Sequence, residues 1–373
     1  MVALWIFWVS AALVVYVYLG FPAALALITA VYRRPVAKAR HTPTVSLVVP
    51  AYNEESVIAE KLECCLALDY PADKLEIVIA SDGSKDRTVE RARPFESDPR
   101  VRILAFEQNR GKLAMLNDVL GRLDSEIVVF SDASTMPEQD ALRVLVSNFA
   151  DPRVGAVSGI YKIRDSGGAK LGKQEDLYWK YETFLKEREA ALGSILGAHG
   201  ALYGIRRALY PFPDKKVIND DFVIPMRIVA RGYRAAYEPG ALAWEEAEDS
   251  SGFGRRVRLM VGNWAQLAEM RGLLWPPSRW LTLFFFLSHK AARLFAPFAM
   301  LAALVANFFL LGSPFFQVVL ALQLGFYALA AAGAMGWLRP RALRLPYYFT
   351  MINLAAFFGF YYAVVRRGRV GWK

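Results

Sequence analysis

Two cysteines are all that the 373 residues contain, and they are neighbours, Cys64 and Cys65. Adjacent residues do not meet disulfide geometry, and no second pair exists to complete a sulfur-ligated metal site. A disulfide-stapled fold is therefore excluded and a reducing compartment fits. The plain reading of the pair is two small apolar groups on a buried helix face. Internal repeats and low-complexity tracts are also missing, which excludes repeat arrays and disordered segments. No positive charge precedes the apolar run Val2–Val31 and no small-residue cleavage site follows it. That run is longer than a signal-peptide core, so it reads as a retained membrane span. Finally, no Gly-x-Gly-x-x-Gly follows the first strand-like run, Val45–Pro50. A dinucleotide-binding fingerprint belongs there, and its absence sets nicotinamide redox chemistry aside.

What is present is hydrophobic. Such residues make up 55% of the chain and aromatics 13%, high for a purely soluble enzyme, and they are unevenly spread. They gather at Val2–Tyr32 and from Leu281 onward, leaving a mixed, charge-bearing middle. The net charge of +10 invites a nucleic-acid reading, but many basic residues flank the apolar blocks. Arg33, Arg34, Lys38 and Arg40 follow the first; Arg339, Arg341 and Arg344 separate two others; Arg366, Arg367 and Arg369 end the last. The positive-inside bias and attraction to anionic lipid explain that placement, and nucleic acid is not an expected partner. The expected division is a transmembrane helix over 1–32, an α/β domain over 42–250, an interfacial amphipathic region over 251–290 and transmembrane helices over 291–373. Arg33 and Arg34 place the α/β domain on the cytosolic side of the cell (inner) membrane.

The terminal blocks run near Leu294–Leu311, Phe315–Trp337 and Tyr347–Val365, each about long enough to cross a bilayer. If all three cross, Arg366–Lys373 ends outside, against the positive-inside bias. Either one block is re-entrant or interfacial, or the Trp280–Leu311 stretch crosses differently. Before them, Gly252–Trp280 is basic and aromatic, with Trp264, Trp275, Pro276, Pro277 and Trp280, a composition suited to a helix lying in the interface.

From Thr44 the pattern alternates short β-branched runs with helical stretches. Val45–Pro50, Glu76–Ala80, Val101–Ala105 and Glu126–Phe130 read as strands; Glu54–Leu68, Asp86–Arg93 and Lys112–Leu123 read as helices. A long helical stretch begins near Asp176, with a glycine-containing turn at Gly197–Gly204. Such alternation builds a mostly parallel, doubly wound sheet whose ligands sit beyond the carboxyl ends of the strands.

Three constellations lie at such positions. In Ser81-Asp82-Gly83-Ser84-Lys85-Asp86, Asp82 offers an acceptor for a base N–H, while an ordinary turn with Asp86 as N-cap explains the run equally well. In Phe130-Ser131-Asp132-Ala133-Ser134, the carboxylate can hold a divalent cation against a diphosphate, or simply cap the next helix. In Ile218-Asn219-Asp220-Asp221-Phe222, neighbouring carboxylates repel, so one can be poised as a general base; helix-start acids favoured by the dipole are the bland alternative.

Their order is more telling than any one of them. Pro50-Ala51-Tyr52-Asn53-Glu54, Ser81–Ser84, Asn109-Arg110-Gly111-Lys112, Asp132-Ala133-Ser134 and Asp220-Asp221 together resemble family 2 glycosyltransferases, over about Thr44–Gln266. The flanking apolar blocks match the membrane-integrated branch that includes cellulose and hyaluronan synthases. The resemblance implies a GT-A fold with Ala51, Tyr52, Glu54 and Asp82 in the nucleoside pocket and Lys112 near the nucleotide. Asp132 matches the first acid of the family's metal-binding Asp-x-Asp, with Ser134 in place of the second, so Mg2+ or Mn2+ is implied with one carboxylate fewer. Asp221 matches the acid that deprotonates the acceptor, Asp220 replaces a Glu, and Gly200 and Tyr203 match the segment shaping the acceptor site. Processive synthases carry Gln-x-x-Arg-Trp where this chain has Arg255-Arg256-Val257-Arg258-Leu259. Arg258 and Arg255 can still meet a diphosphate. The aromatic platform is missing, with Trp264 a candidate substitute. The resemblance thus implies an inverting, metal-dependent transfer from a nucleotide sugar, UDP-linked by preference, to a membrane lipid or lipid-linked saccharide. The alternative is a processive polysaccharide synthase coupled to secretion. Oligomeric state is left open.

Overall fold

The computed structural model describes residues 1–164, 172–214, 217–246, 253–270, 280–338 and 341–365. The sequence-level features at Arg339, Trp275–Pro277 and Arg366–Lys373 lie outside the described residues. Two compact units result, one of Tyr32–Lys170 with Lys186–Glu248, the other of Met1–Val31, Leu171–Leu185 and Asp249–Lys373.

The first of these is built on one eight-stranded sheet in the order β3-β2-β1-β4-β7-β6-β8-β5. Strands β1 (Val45–Ala51), β2 (Leu75–Asp82), β3 (Val101–Phe106) and β4 (Ile127–Phe130) lie where the β-branched runs predict them and pair in parallel. β1, β2 and β4 are buried on both faces along much of their length, which is why they read as continuous apolar runs, whereas β3, at the sheet edge, is mostly half-buried. The chain leaves β1 toward β2 on one side and β4 lies on the other, so the sheet's switch point falls between β1 and β4. The other half departs from the expected parallel pattern. β5 (Thr135–Pro137), β6 (Val154–Arg164), β7 (Tyr203–Arg206) and β8 (Arg234–Glu246) enter it, with β7 antiparallel to both β4 and β6, and β5 antiparallel to β8. Only β6 and β8 are parallel there.

Helices α3 (Ile58–Leu66), α4 (Thr88–Ala92), α5 (Lys112–Leu120), α6 (Ala141–Val146), the last turns of α7 (Gly172–Leu192) and α8 (Asp220–Ala230) complete this unit. α3 starts later than Glu54 because Glu54–Val57 forms the turn that leaves β1, with Asn53 at φ 58. Ile58, Leu62 and Cys65 line its inner face and join a core with Leu47, Val49, Ile77, Val129, Leu145 and Phe149. Each such side chain, fully removed from water, contributes about 1.5–3 kcal/mol.

The second unit holds the long apolar helices. Its first is α1 (Val2–Val15) and α2 (Phe21–Val31), made continuous by a π-helical segment at Tyr16–Gly20. After α9 (Phe253–Glu269), α10 (Trp280–Phe285) and α11 (Ala292–Phe308) likewise merge through a π segment, Phe286–Ala291. α12 (Pro314–Ala334) and α13 (Leu345–Val364) follow. Among the described residues three helices are long and apolar enough to cross a membrane: Val2–Val31, Trp280–Phe308 and Pro314–Ala334. The second starts at Trp280, so the stretch from 280 to 290, expected to be interfacial, is part of a long apolar helix. α9 presents one apolar and one charged face; α13 packs along it, with Gly359 against Met260, where a Cβ would come within 2.6 Å.

Candidate functional site

The turn leaving β1 is laced to the turn leaving β2. Asn53 donates its N–H to Ser84 Oγ (3.1 Å) and accepts from Lys85 N–H (2.9 Å), and Glu54 N–H donates to Thr88 Oγ1 (2.7 Å). Asp86 accepts the Thr88 N–H (3.0 Å) and the Glu55 N–H (3.1 Å), while the N-cap position of α4 itself is Arg87, so Asp86 ties the two turns together from one residue before the cap. Ala51 is buried at the strand end, Glu54 is half-buried and the Tyr52 ring stands exposed.

Asp82 has a structural task that the motif did not reveal. Its Oδ1 accepts the Arg110 N–H (3.1 Å) and its Oδ2 the Gly111 N–H (2.8 Å), and the residue is buried. Beside it Gly83, at φ +69, lies so close to the same loop that a Cβ would meet Asn109 N at 2.4 Å. This contact fixes the start of α5 and hence Lys112.

Lys112 joins two parts of the site. Its Nζ lies 3.0 Å from Asp132 Oδ1, beyond β4, and 3.4 Å from Asp220 Oδ2, at the start of α8. Burial alone would depress this ammonium, but Asp132, Asp220 and Asp221 override it and raise its pKa above the ordinary lysine value. Asp220 and Asp221 open α8, where the helix dipole favours negative charge. The loop before β7 approaches them: Ala198 N–H donates to the Asp221 carbonyl (2.8 Å). At Gly200 a Cβ would stand 3.3 Å from Asp132 Oδ2 and 3.5 Å from Asp221 Oδ2, so any larger residue would fill the space between the two carboxylates. Lys112, Asp132, Asp220, Asp221 and Gly200 are thus brought together.

The donor set is all oxygen, which suits a hard divalent cation. Among the described residues no group of three or more His, Cys, Asp or Glu side chains converges. Asp132 therefore fits a cation that takes its remaining ligands from a diphosphate and water, the usual arrangement for Mg2+. Ser134, at the position of the missing second acid, donates to Glu245 Oε1 (3.3 Å).

Two expected acceptor residues are corrected. Tyr203 is fully buried inside β7 with its ring stacked on Phe130 at 4.8 Å, so no acceptor sugar can reach it. Burial, then the negative field of Asp220, raises its phenol pKa, and its Oη has no hydrogen-bond partner among the described residues. Trp264 lies on α9 of the other unit, with its indole N–H donating to the Ala356 carbonyl (2.9 Å) and its ring packed against Phe295, Phe298 and Phe360. A stacking platform needs an exposed face, and this ring is buried. Arg255 and Arg258 also belong to α9; the site above is built without them.

One contributor was missed. Lys61 sits with Ile58, Leu62 and Cys65 at helical spacing on the buried face of α3 and is wholly inaccessible. A lysine on an otherwise apolar stripe is the signal that could have found it.

Comparison with known proteins bears on the family resemblance and the fold. Residues 46–211 match the model of the family described as Glycosyl transferase family 2. The poly-beta-1,6-N-acetyl-D-glucosamine synthase of Staphylococcus aureus (strain COL) is 30% identical over 229 residues, 60% of this chain and 54% of that protein. Its counterpart from Staphylococcus epidermidis is 29% identical over the same shares. The chain therefore spans about half the length of the curated relatives it matches. Among solved structures, the mannosyltransferase PcManGT from Pyrobaculum calidifontis, in complex with GDP-Man and Mn2+, superposes with a TM-score of 0.74 at 24% identity. That match covers 97% of this chain and 99% of that one, so the two share the GT-A fold flanked by apolar helices.

Proposed function

We propose that this chain, whose residues 46–211 match the model described as Glycosyl transferase family 2, moves a sugar from a nucleotide donor, UDP-linked by preference, onto a saccharide acceptor. The observation that carries the reading is the convergence of Lys112, Asp132, Asp220, Asp221 and Gly200 beyond the carboxyl ends of β1 and β4. The similarity to polysaccharide synthases favours elongation of a glycan, the N-acetylglucosamine polymer of those relatives being the guide. A second reading, one addition to a lipid-linked acceptor, is favoured by Leu259, which stands partly exposed on α9 where processive enzymes carry Trp.

In the proposed reaction Asp221 takes the proton of the acceptor hydroxyl as its oxygen attacks the anomeric carbon, and the nucleoside diphosphate leaves from the opposite face with inversion. Lys112 holds Asp220 and Asp132 in register, and Gly200 leaves the space between the carboxylates open for the reacting groups. A divalent cation bound at Asp132 would neutralise the diphosphate as it departs. Tyr52, exposed at the end of β1, offers its ring to the base.

The same reading orients the chain. With Val2–Val31, Trp280–Phe308 and Pro314–Ala334 crossing and α13 not crossing, Arg33, Arg34, Arg341, Arg344 and the catalytic segment share one face of the cell membrane. That is the cytosolic face by the positive-inside bias. The less apolar α13, with Pro346, Asn353 and four tyrosines, is then the block that does not cross. Product size separates the two acceptors. Native membranes given radiolabelled nucleotide sugars yield a high-mass ladder if a glycan is elongated, and one discrete organic-extractable species if a lipid receives a single sugar.

A further inference from the structure

Lys61 is wholly buried, yet among the described residues it makes no ion pair. Its Nζ donates to Ser131 Oγ (2.7 Å) and to the Thr135 carbonyl. Both acceptors belong to the turn that carries Asp132. Two hydroxyls of that turn reach the loop before β7: Ser131 Oγ donates to the Ala201 carbonyl (2.9 Å), and Thr135 Oγ1 lies 3.0 Å from both that carbonyl and the Asp132 carbonyl. Ala201 follows Gly200, whose Cα faces the carboxylates of Asp132 and Asp221. One buried amine thus closes a network that joins the turn after β4 to the loop before β7.

We propose that Lys61 is a positioning residue for the transfer reaction, fixing the angle of the Asp132 turn to α3 and thereby the place of Asp132 opposite the Gly200 loop; this rests on the glycosyltransferase reading of that site. The network has a feature that packing alone does not explain. An apolar side chain of similar length would fill the same place on α3 without the cost of desolvating an amine. Lysine instead supplies more than one donor from one point, and here those donors reach both ends of a five-residue turn. Burial pulls Lys61 below the ordinary lysine range, against the weaker opposing fields of Cys65, Cys64 and Asp132. Without the amine, Ser131 and Thr135 keep their contacts to Ala201 but the turn loses the tie that sets its angle to α3. A displacement of about 1 Å at Asp132 is enough to reduce turnover by roughly 100-fold.

The test uses the full-length chain in detergent or native membranes with Lys61→Met, Ser131→Ala and Asp132→Asn. Lys61→Met is expected to lower kcat by at least about 10-fold with KM for the nucleotide sugar changed less than about 3-fold, because the nucleoside side of the site lies at the ends of β1 and β2. Its melting temperature is expected to stay within about 5 °C of wild type or to rise. Ser131→Ala, which keeps the amine and removes one acceptor, is expected to move kcat in the same direction by less. Wild-type kcat in Lys61→Met overturns the proposal. So does a melting temperature lowered far enough that cooling the assay restores full activity, since Lys61 would then serve stability alone. Full activity in Asp132→Asn would instead overturn the reading of the site itself, whatever Lys61→Met does.

Discussion

Lys112 lies between Asp132 and Asp220, and its ion pairs organise the centre of the site. Its raised pKa sets the sign of its pH dependence. The stabilisation is fully present below the ordinary lysine value and is lost only as pH rises through the higher folded value. Lys112→Met should therefore lower stability by about 3 kcal/mol, chiefly because Asp220 is left nearly buried beside no cation. The gap from wild type should stay flat between about pH 6 and 9, as read by thermal unfolding across that range. The opposite sign applies to Asp98. Hydrogen bonds from Arg100 hold its carboxyl down at about 2, so its contribution is present above the ordinary aspartate value and fades as pH falls through about 2. Acid unfolding of Asp98→Asn should differ from wild type at about pH 5 and converge with it as the pH drops.

Among elements, the middle of α7 and the π-segmented helix from Trp280 to Phe308 share a buried polar contact. Glu182 accepts from Arg293, and His289 Nε2 lies 3.3 Å from its other oxygen. A buried ion pair is weak evidence of net stability, but removing one partner strands the other. Glu182→Leu should destabilise this unit by about 3–5 kcal/mol, measured by thermal unfolding in detergent, while Glu182→Gln should cost less. A local argument also applies to the loop before β7. Gly197 holds φ +68 and leaves only 2.6 Å between a would-be Cβ and Phe222. Gly197→Ala should shift the loop that carries Gly200 and lower turnover more than it lowers stability, checked by comparing kcat with melting temperature. The elements differ in how readable they were. β1, β2 and β4 are continuous apolar runs because the sheet buries both their faces, and the half-buried edge strand β3 keeps enough of that pattern to be placed as well. β5 has three residues and β7 four, too short for a period to register, and their antiparallel pairing depends on partners distant in sequence. The acids were legible because they end strands or open a helix. Lys61 was not, since its role arises from Ser131 and Thr135 some 70 residues away.

For the whole molecule, a domain matching the Glycosyl transferase family 2 model and a set of apolar helices belong to one chain, and on the proposed reading the apparent excess of one crossing disappears if α13 stays on the catalytic side. In the proposed reading Asp132, Lys112 and Asp221 then act on a nucleotide sugar at the cytosolic face. The most direct measurement is incorporation of label from radioactive UDP-N-acetylglucosamine, and from other nucleotide sugars, into saccharide product by native membranes holding wild type or Asp221→Asn. Wild type should incorporate label from at least one donor, and Asp221→Asn should fall by at least about 100-fold while still binding the nucleotide. Near-full incorporation by Asp221→Asn, or no transfer from any nucleotide sugar by wild type, would contradict the account.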